Sequence, residues 1–233
     1  MSKIKVCLYT TVLLNFLSPA LAQTTTRQNQ ESYSEREILV VGNPKSPNFA
    51  SLPGAEREAV SIAKLFQTQA LIEDAATETV VVQRLSQARI IHLATHVLPE
   101  AGVIILTPSN QDDGLLTTDE IQKLHLKADL VVLSGGNTAL GQITGDGVIG
   151  IARAFIAAGA TNVIGTLWCV SDQFTVKFMT EFYYQLQITS DAASALRQAA
   201  LEIKKKHPNS KDWAAFTLIG SAKSSGVLTK FYN

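Results

Sequence analysis

The feature that most constrains this chain of 233 residues is an alternation between short apolar runs and segments with helical spacing of apolar side chains. The short runs have strand length, and Ala59, Ile62, Ala63 and Phe66 recur at the spacing of one helix face. Strands that are apolar along their whole length need cover on both faces, which is typical of a mainly parallel sheet. The sequence therefore predicts an α/β fold with helices on both faces of a sheet of about six strands.

The predicted elements follow one another without a repeating unit. The predicted strands are Ile38–Gly42, Ala70–Ile72, Ala88–His96, Gly102–Thr107, Ala128–Leu133, Asn162–Val170 and Ala214–Gly220. The predicted helices are Ala55–Gln69, a segment that starts at Ala76, Thr117–Leu124, Gly147–Ala160, Gln173–Gln187 and Asp191–His207. Function in parallel sheets lies at the carboxyl ends of the strands, which here are Asn43, His96, 134–137 and 169–172.

The first 22 residues have the layout of a secretory signal peptide. Lys3 and Lys5 precede an apolar run over Val6–Leu17, and small residues around Ala22 offer a cleavage site. Twelve helical residues cover roughly 18 Å, short of the ~30 Å hydrocarbon core, so we expect no stable membrane anchor. The expected location is the bacterial periplasm or the exterior, and the alternative is an uncleaved interfacial helix.

Removal of this segment sets the expected domain organisation and charge. A flexible polar lead-in over residues 23–36 precedes the folded domain, 37–223, and a tail over 224–233 follows it. The mature chain would keep 18 basic residues against 20 acidic ones, and Cys169 would be its one cysteine. This balance argues against a nucleic-acid partner, and one thiol forms no internal disulfide.

Three common site types fit the sequence poorly. Gly145–Gly150 has the spacing of a dinucleotide-binding loop, but ten residues separate it from the strand end at Ser134. Ser134 also does not lie in the G-x-S-x-G pattern of a hydrolase serine. His92 and His96 would lie roughly 13 Å apart on a strand, too far to share a metal ion. We therefore expect no cofactor and no metal, and we interpret His92 as a buried structural residue.

The segments at the strand ends together resemble the CHAT domain, a family of caspase-like cysteine peptidases. Seven segments carry the resemblance, in order from about Ile38 to Ser221: Gly42–Pro44, Pro53–Glu58, Ile91–His96 (IHLATH), Leu133–Gly141 (LSGGNTALG), Gly147–Phe155, Gly165–Asp172 and Trp213–Gly220. The resemblance implies a caspase-like sheet and a dyad in which histidine and cysteine end neighbouring strands. The imidazole in such a dyad promotes a thiolate that attacks the peptide carbonyl.

This chain departs from the family pattern at the nucleophile. His96 falls on the histidine position, whereas Gly136 occupies the position of the cysteine. Asn137 stands where an acidic residue is usual, and Val97 stands where the family has glycine. Because glycine has no side chain, we expect no cleavage by the family mechanism. The sequence predicts a secreted pseudopeptidase that binds a protein or peptide partner in a cleft, as a regulatory module.

Two questions about the cleft stay open at this level. A residual cysteine-type endopeptidase using Cys169 is the alternative, although family strand order would place Cys169 roughly 9–10 Å from His96. Cys169 otherwise lines the cleft or fills space beside Trp168. Asp146 and Asp172 would give the cleft a negative floor, or they are acids that stabilise helix N-termini.

Overall fold

The computed structural model of the chain describes residues 37–135, 142–144, 147–168 and 170–221. The strands are β1 Ile38–Pro44, β2 Leu71–Glu73, β3 Ile90–Ala94, β4 Val97–Leu98, β5 Val103–Ile105, β6 Leu115–Thr117, β7 Leu130–Leu133, β8 Gln142–Thr144, β9 Gly147–Ile149, β10 Asn162–Thr166 and β11 Phe216–Gly220. The helices are α1 Pro53–Leu65, α2 Glu78–Leu85, α3 Thr118–Lys123, α4 Ile151–Ala157, α5 Asp172–Thr189, α6 Ala192–Lys206 and α7 Ser210–Trp213.

A central sheet of six strands has the order β11-β10-β7-β3-β1-β2. All neighbouring pairs are parallel except β10 and β11, which run antiparallel. The carboxyl ends of β1, β3, β7 and β10 therefore meet at one edge of the sheet. This arrangement confirms the predicted mainly parallel α/β sheet.

Helices cover both faces of this sheet, each over its own apolar core. Side chains of α1, α5 and α6 pack on one face, where Phe178, Phe182 and Tyr183 are fully buried. Side chains of α2, α3 and α4 pack on the other face, around Phe155 and Leu85. The predicted two-sided cover is confirmed, and it explains why the sheet strands are mostly apolar on both faces.

Two predicted elements differ from the structure. The predicted helix over 147–160 is divided, because 147–149 form β9, which pairs antiparallel with β8, and α4 begins only at Ile151. Gly150 is extended at the N-cap of α4, so the helix cannot extend further back. The run Gly102–Thr107 contains β5, which lies outside the central sheet and pairs with β4 and β6.

Gly42 in β1 sets how closely α1 lies on the sheet. A Cβ atom at Gly42 would lie 2.4 Å from the Cβ of Ala59 and 2.6 Å from the carbonyl oxygen of Ala55. Both distances are far below van der Waals contact, so only glycine permits this approach. The close packing brings the inward face of α1, including Glu58, down to β3.

The structure does not test the predictions for the two ends of the chain. The predicted signal peptide, the lead-in and the tail from residue 224 lie outside the described residues. Among the helices that the structure describes, none combines the length and apolar character needed to cross a bilayer. Secretion therefore stays a prediction from the sequence.

Candidate functional site

A cavity of about 320 Å³ opens at the carboxyl edge of the central sheet, between the first turns of α1 and α5. We call it the cleft. Side chains and backbone from both helices and from the ends of β3, β7 and β10 form its walls: Leu52, Ala55, Glu58, Thr95, His96, Val97, Pro99, Glu100, Ser134, Gly135, Thr166, Val170 and Thr175. The cleft lies where the sequence predicted function, at the ends of parallel strands.

His96 lies in the cleft just beyond β3 and is half-buried. Its Nε2 atom lies 2.8 Å from the carbonyl oxygen of Ala50, and its ring packs on Phe49 with centroids 5.3 Å apart. A carbonyl oxygen only accepts hydrogen bonds, so Nε2 carries the proton. In the neutral ring Nδ1 is then the free acceptor, which is the protonation state that a general base requires.

Asn43 anchors the loop that carries Ala50. The backbone N–H of Leu52 donates to Oδ1 of Asn43 at 2.6 Å, and Nδ2 of Asn43 donates to Oε2 of Glu56 at 3.1 Å. Asn43 is buried and has a positive φ of 49°, a conformation that asparagine tolerates better than most residues. The end of β1 therefore fixes the loop against α1 and holds the Ala50 carbonyl at His96.

A second histidine lies beneath the cleft. His92 is fully buried in β3, with Nδ1 3.1 Å from the hydroxyl oxygen of Tyr183 and Nε2 2.9 Å from Oε1 of Glu58. Burial raises the pKa of Tyr183 well above its ordinary value, and the negative charge of Glu58 adds to the shift. Tyr183 is therefore neutral at physiological pH. The predicted structural role of His92 is consistent with these contacts.

Of the other residues predicted for the site, the structure describes the backbone of Asp172 and leaves four outside its described ranges. Gly136, Asn137, Asp146 and Cys169 lie outside the described residues. The backbone of Asp172 begins α5, the position expected of an acid at a helix N-terminus. Up to residue 135 the chain leads from β7 along the cleft wall, because the Ser134 N–H donates to the Leu93 carbonyl and extends the pairing with β3.

Glu58 and Ser134 are two of the buried polar residues that line the cleft; the sequence placed Ser134 at this edge but gave no role to Glu58. Glu58 is 1% exposed and lines the cleft from α1, and Ser134 is 7% exposed at the end of β7. A signal for Glu58 was present, since it lies on the apolar helix face of Ala55, Ala59 and Ile62. A charged residue on such a face is uncommon unless it has a partner inside the protein.

Potential metal ligands are scattered through the described part of the chain. Within these ranges, no three His, Cys, Asp or Glu side chains are grouped to hold a metal ion. The cleft chemistry of the described residues is that of a histidine, two carboxylates and several hydroxyl groups.

The family follows from comparison of the whole sequence with known domains. The CHAT domain profile matches residues 9–221, nearly the whole chain. The chain belongs to the CHAT-domain family. The match begins within the segment predicted to be a signal peptide. Tetratricopeptide repeat protein 28 of mouse and of human are each 31% identical to it over 244 aligned residues, covering 84% of this chain. The chain spans about 10% of the length of these curated relatives.

The fold of this CHAT domain is similar to that of solved caspase-like cysteine peptidases. The yeast separase–securin complex matches 87% of the chain with a TM-score of 0.56 and 18% identity, over 13% of the solved chain. The Arg-specific cysteine proteinase gingipain R matches 80% of the chain with a TM-score of 0.58 and 10% identity, over 46% of the solved chain. At these identities the likeness shows a shared fold, and the predicted fold class is confirmed.

Proposed function

We propose that this CHAT domain is a secreted pseudopeptidase that binds an extended peptide in the cleft and does not cleave it through a cysteine nucleophile. The observation that carries the proposal is Gly136 at the nucleophile position of a domain that retains His96. Covalent catalysis needs a side chain that attacks the carbonyl and then leaves, and glycine supplies none.

The retained histidine supports a site whose shape persists without the nucleophile. His96 keeps a proton on Nε2 through Ala50, and Asn43 holds the loop that positions Ala50. A cavity of about 320 Å³ remains beside it, with an apolar wall from Leu52, Val97 and Val170. Binding sites of this kind combine apolar walls with a few well-placed polar groups.

The strand order argues against the rival nucleophile Cys169. That residue follows β10, and β7 separates β10 from β3 in the sheet. Neighbouring strands are ~4.8 Å apart, so a residue on β10 is roughly 9–10 Å from its counterpart on β3. A hydrogen bond between thiol and imidazole needs about 3 Å to 3.5 Å. The separation argues against cleavage by a Cys169–His96 pair.

The relatives are consistent with a module that other proteins contact. The similar yeast structure is a complex of separase with securin, so this fold occurs in complexes with a second protein. The curated relatives are tetratricopeptide repeat proteins in which the matching region is about one tenth of the chain. We propose that the present domain likewise acts on a partner by binding.

Two measurements test the proposal. A fluorogenic peptide library measures turnover, and we expect none above the rate of the His96→Ala variant. An array of immobilised random peptides measures binding. We expect that Thr175→Trp, which fills the cleft from α5, abolishes capture, whereas Thr180→Trp on the exposed side of the same helix preserves it.

The opposite results would each remove one part of the proposal. Turnover that disappears in His96→Ala would show an active peptidase. Turnover that disappears in Cys169→Ser would establish the displaced nucleophile. Capture that is absent, or equal in the two tryptophan variants, would remove peptide binding in the cleft.

A further inference from the structure

The two lateral edges of the central sheet differ in how they are protected. At one edge β2 is only three residues long, and two carboxylates, Glu73 and Asp74, stand at its end. At the other edge β11 spans Phe216–Gly220 and contains neither a charged residue nor a proline. Native proteins usually shorten or charge an edge strand, because its exposed backbone groups can pair with a further strand. The lateral edge of β11 lacks both kinds of protection, which points to cover by another segment.

Hydrogen bonds at the two ends of β11 show which of its residues face β10. The N–H of Leu167 donates to the carbonyl oxygen of Ala215 at 2.8 Å, and the N–H of Ser221 donates to the carbonyl oxygen of Thr161 at 3.2 Å. The pairing register between these two bonds has no shift. Because hydrogen-bonded residues alternate along an antiparallel strand, the odd-numbered residues of β11 direct their backbone groups to β10.

The even-numbered residues of β11 direct their backbone groups to the outside. These are Phe216, Leu218 and Gly220, whose N–H and carbonyl groups line the lateral edge. No second strand in the described part of the chain lies on that side of β11. The side chains of Leu218 and Ile219 pack on opposite faces of the sheet and are only partly buried. An added strand would therefore gain backbone hydrogen bonds and apolar contacts on each face.

The segment after β11 has the composition of such a strand. Residues 222–233 lie outside the described residues. Within them, Val227–Tyr232 (VLTKFY) consists of aliphatic, β-branched and aromatic residues with a single lysine, a composition typical of strands. The preceding residues, 222–226 (AKSSG), are small or polar and end in glycine, as is typical of a turn. The sequence therefore favours a hairpin of β11 with residues 227–232.

A loop over residues 222–225 sets the register of this hairpin, with Gly226 opposite Ser221. In that register apolar residues oppose each other on both faces of the sheet: Leu228 opposes Ile219, and Phe231 opposes Phe216. Lys230 lies on the new outermost strand, where a lysine discourages pairing with a further strand. The register therefore gives the hairpin apolar contacts and gives the sheet a protected edge.

We propose that residues 227–232 pair antiparallel with β11 and cover the lateral edge of the central sheet. A segment joined to β11 by so short a loop is present at high effective concentration, so it competes effectively with a strand of any other chain. The hairpin keeps the domain from pairing edge to edge with a second copy or with an extended segment of another protein. The inference is independent of peptide binding in the cleft.

Hydrogen exchange of single amides, measured by NMR on the full chain, tests the pairing. The N–H of Leu218 points to the lateral edge, whereas the N–H of Ile219 points to β10. Thr229→Pro removes the N–H that would bond to the carbonyl oxygen of Leu218. We expect this variant to speed exchange at Leu218 about tenfold and to leave Ile219 within about threefold. Ser224→Pro is the matched control, because it lies in the loop and should leave both amides unchanged.

Disulfide formation tests the register without a disruptive variant. In a chain that also carries Cys7→Ser and Cys169→Ser, Thr217→Cys with Lys230→Cys places two thiols opposite each other on one face. Thr217→Cys with Thr229→Cys places them on opposite faces, where they cannot bridge unless the backbone moves. We expect the equilibrium constant for disulfide formation in a glutathione buffer to be about tenfold larger, or more, for the first pair.

Three results would overturn the inference. Exchange at Leu218 of the wild type at the rate of an unprotected amide would show that the lateral edge is open. Protection of Leu218 that rises with protein concentration and survives in Thr229→Pro would show that a second copy covers the edge in place of residues 227–232. Equal disulfide formation by the two cysteine pairs would show that these residues do not pair with β11 in a fixed register.

Discussion

The Nε2 atom of His96 lies 2.8 Å from the carbonyl oxygen of Ala50, and this contact fixes which ring nitrogen carries the proton. A peptidase base needs its second nitrogen free to face the nucleophile. This chain keeps that arrangement although Gly136 offers no nucleophile. In the proposed pseudopeptidase, the histidine side of the dyad persists as structure without a catalytic role.

Gly136→Cys is predicted to yield an activated thiol. With Cys7→Ser and Cys169→Ser in the background, the introduced thiol is the one thiol in the chain. The strand β7, which leads to position 136, neighbours β3, which leads to His96. We expect the imidazole to lower the pKa of that thiol below the ordinary value of about 8.5. The pH dependence of the iodoacetamide reaction rate measures it.

The control for this variant is the addition of His96→Ala. The pKa of the thiol should return to the ordinary range, because the imidazole that stabilises the thiolate is gone. An introduced thiol that titrates alike with and without His96 would mean that the two positions no longer meet at the cleft.

Asn43→Ala is predicted to release the loop that carries Ala50. The variant removes the acceptor of the Leu52 N–H and forces alanine into a positive φ of 49°. We expect faster amide hydrogen exchange across residues 45–52, measured by mass spectrometry. Asn209→Ala is the control, because Asn209 also accepts a backbone N–H, that of Lys211 at 3.1 Å, but at the start of α7. Unchanged exchange over 45–52 would contradict the anchoring role of Asn43.

Tyr183→Phe is predicted to destabilise the domain by about 1–3 kcal/mol, because it leaves Nδ1 of buried His92 without a partner. The neighbouring Tyr184 is 52% exposed on the same helix, so Tyr184→Phe should change stability by less than about 0.5 kcal/mol. Urea denaturation gives both free energies of unfolding. Equal effects at the two positions would refute the buried hydrogen bond.

Glu78→Gln is predicted to raise the free energy of unfolding more at high pH than at low pH. Burial raises the pKa of Glu78 above its ordinary value of 4.5, and the nearby charges of Glu120, Asp112 and Asp113 add to the shift. The contribution of Glu78 to the stability of the folded state is therefore fully present below about pH 4.5. It is lost as the pH rises through the pKa of Glu78 in the folded state. A glutamine cannot ionise, so it avoids this loss.

Urea denaturation at pH 4 and pH 8 measures the difference for Glu78→Gln. The exposed Glu100 provides a control, since Glu100→Gln should change stability equally at the two pH values. A benefit of Glu78→Gln that is independent of pH would contradict the raised pKa.

Hydrophobic periodicity was sufficient to predict the central sheet. The runs 38–41 and 130–133 are apolar at every position, and each lies in a strand that is buried on both faces. Periodicity gave the wrong prediction at 147–149. These residues were predicted to form the first turn of a helix, but they form β9 and pair with β8. Short apolar segments fit either structure, and the choice depends on a pairing partner that local sequence does not reveal.

The site was predicted only in part, for a related reason. His96 and the region after Leu133 follow strand ends, so the topology of a parallel sheet was enough to place them at one edge. Glu58 is different, because its position depends on how closely α1 lies on β1. The distance that Gly42 permits between these two elements is a tertiary property that no local pattern specifies.

The order of the central sheet has a further consequence for this domain. The cleft draws residues from α1, β3, β7, β10 and α5, which are distant along the chain and meet only when the parallel strands have paired. A fragment of the domain that lacks some of these strands therefore cannot form the cleft. Occupancy of the cleft is thermodynamically linked to unfolding of the entire sheet, so a ligand should raise the melting temperature of the domain as one unit.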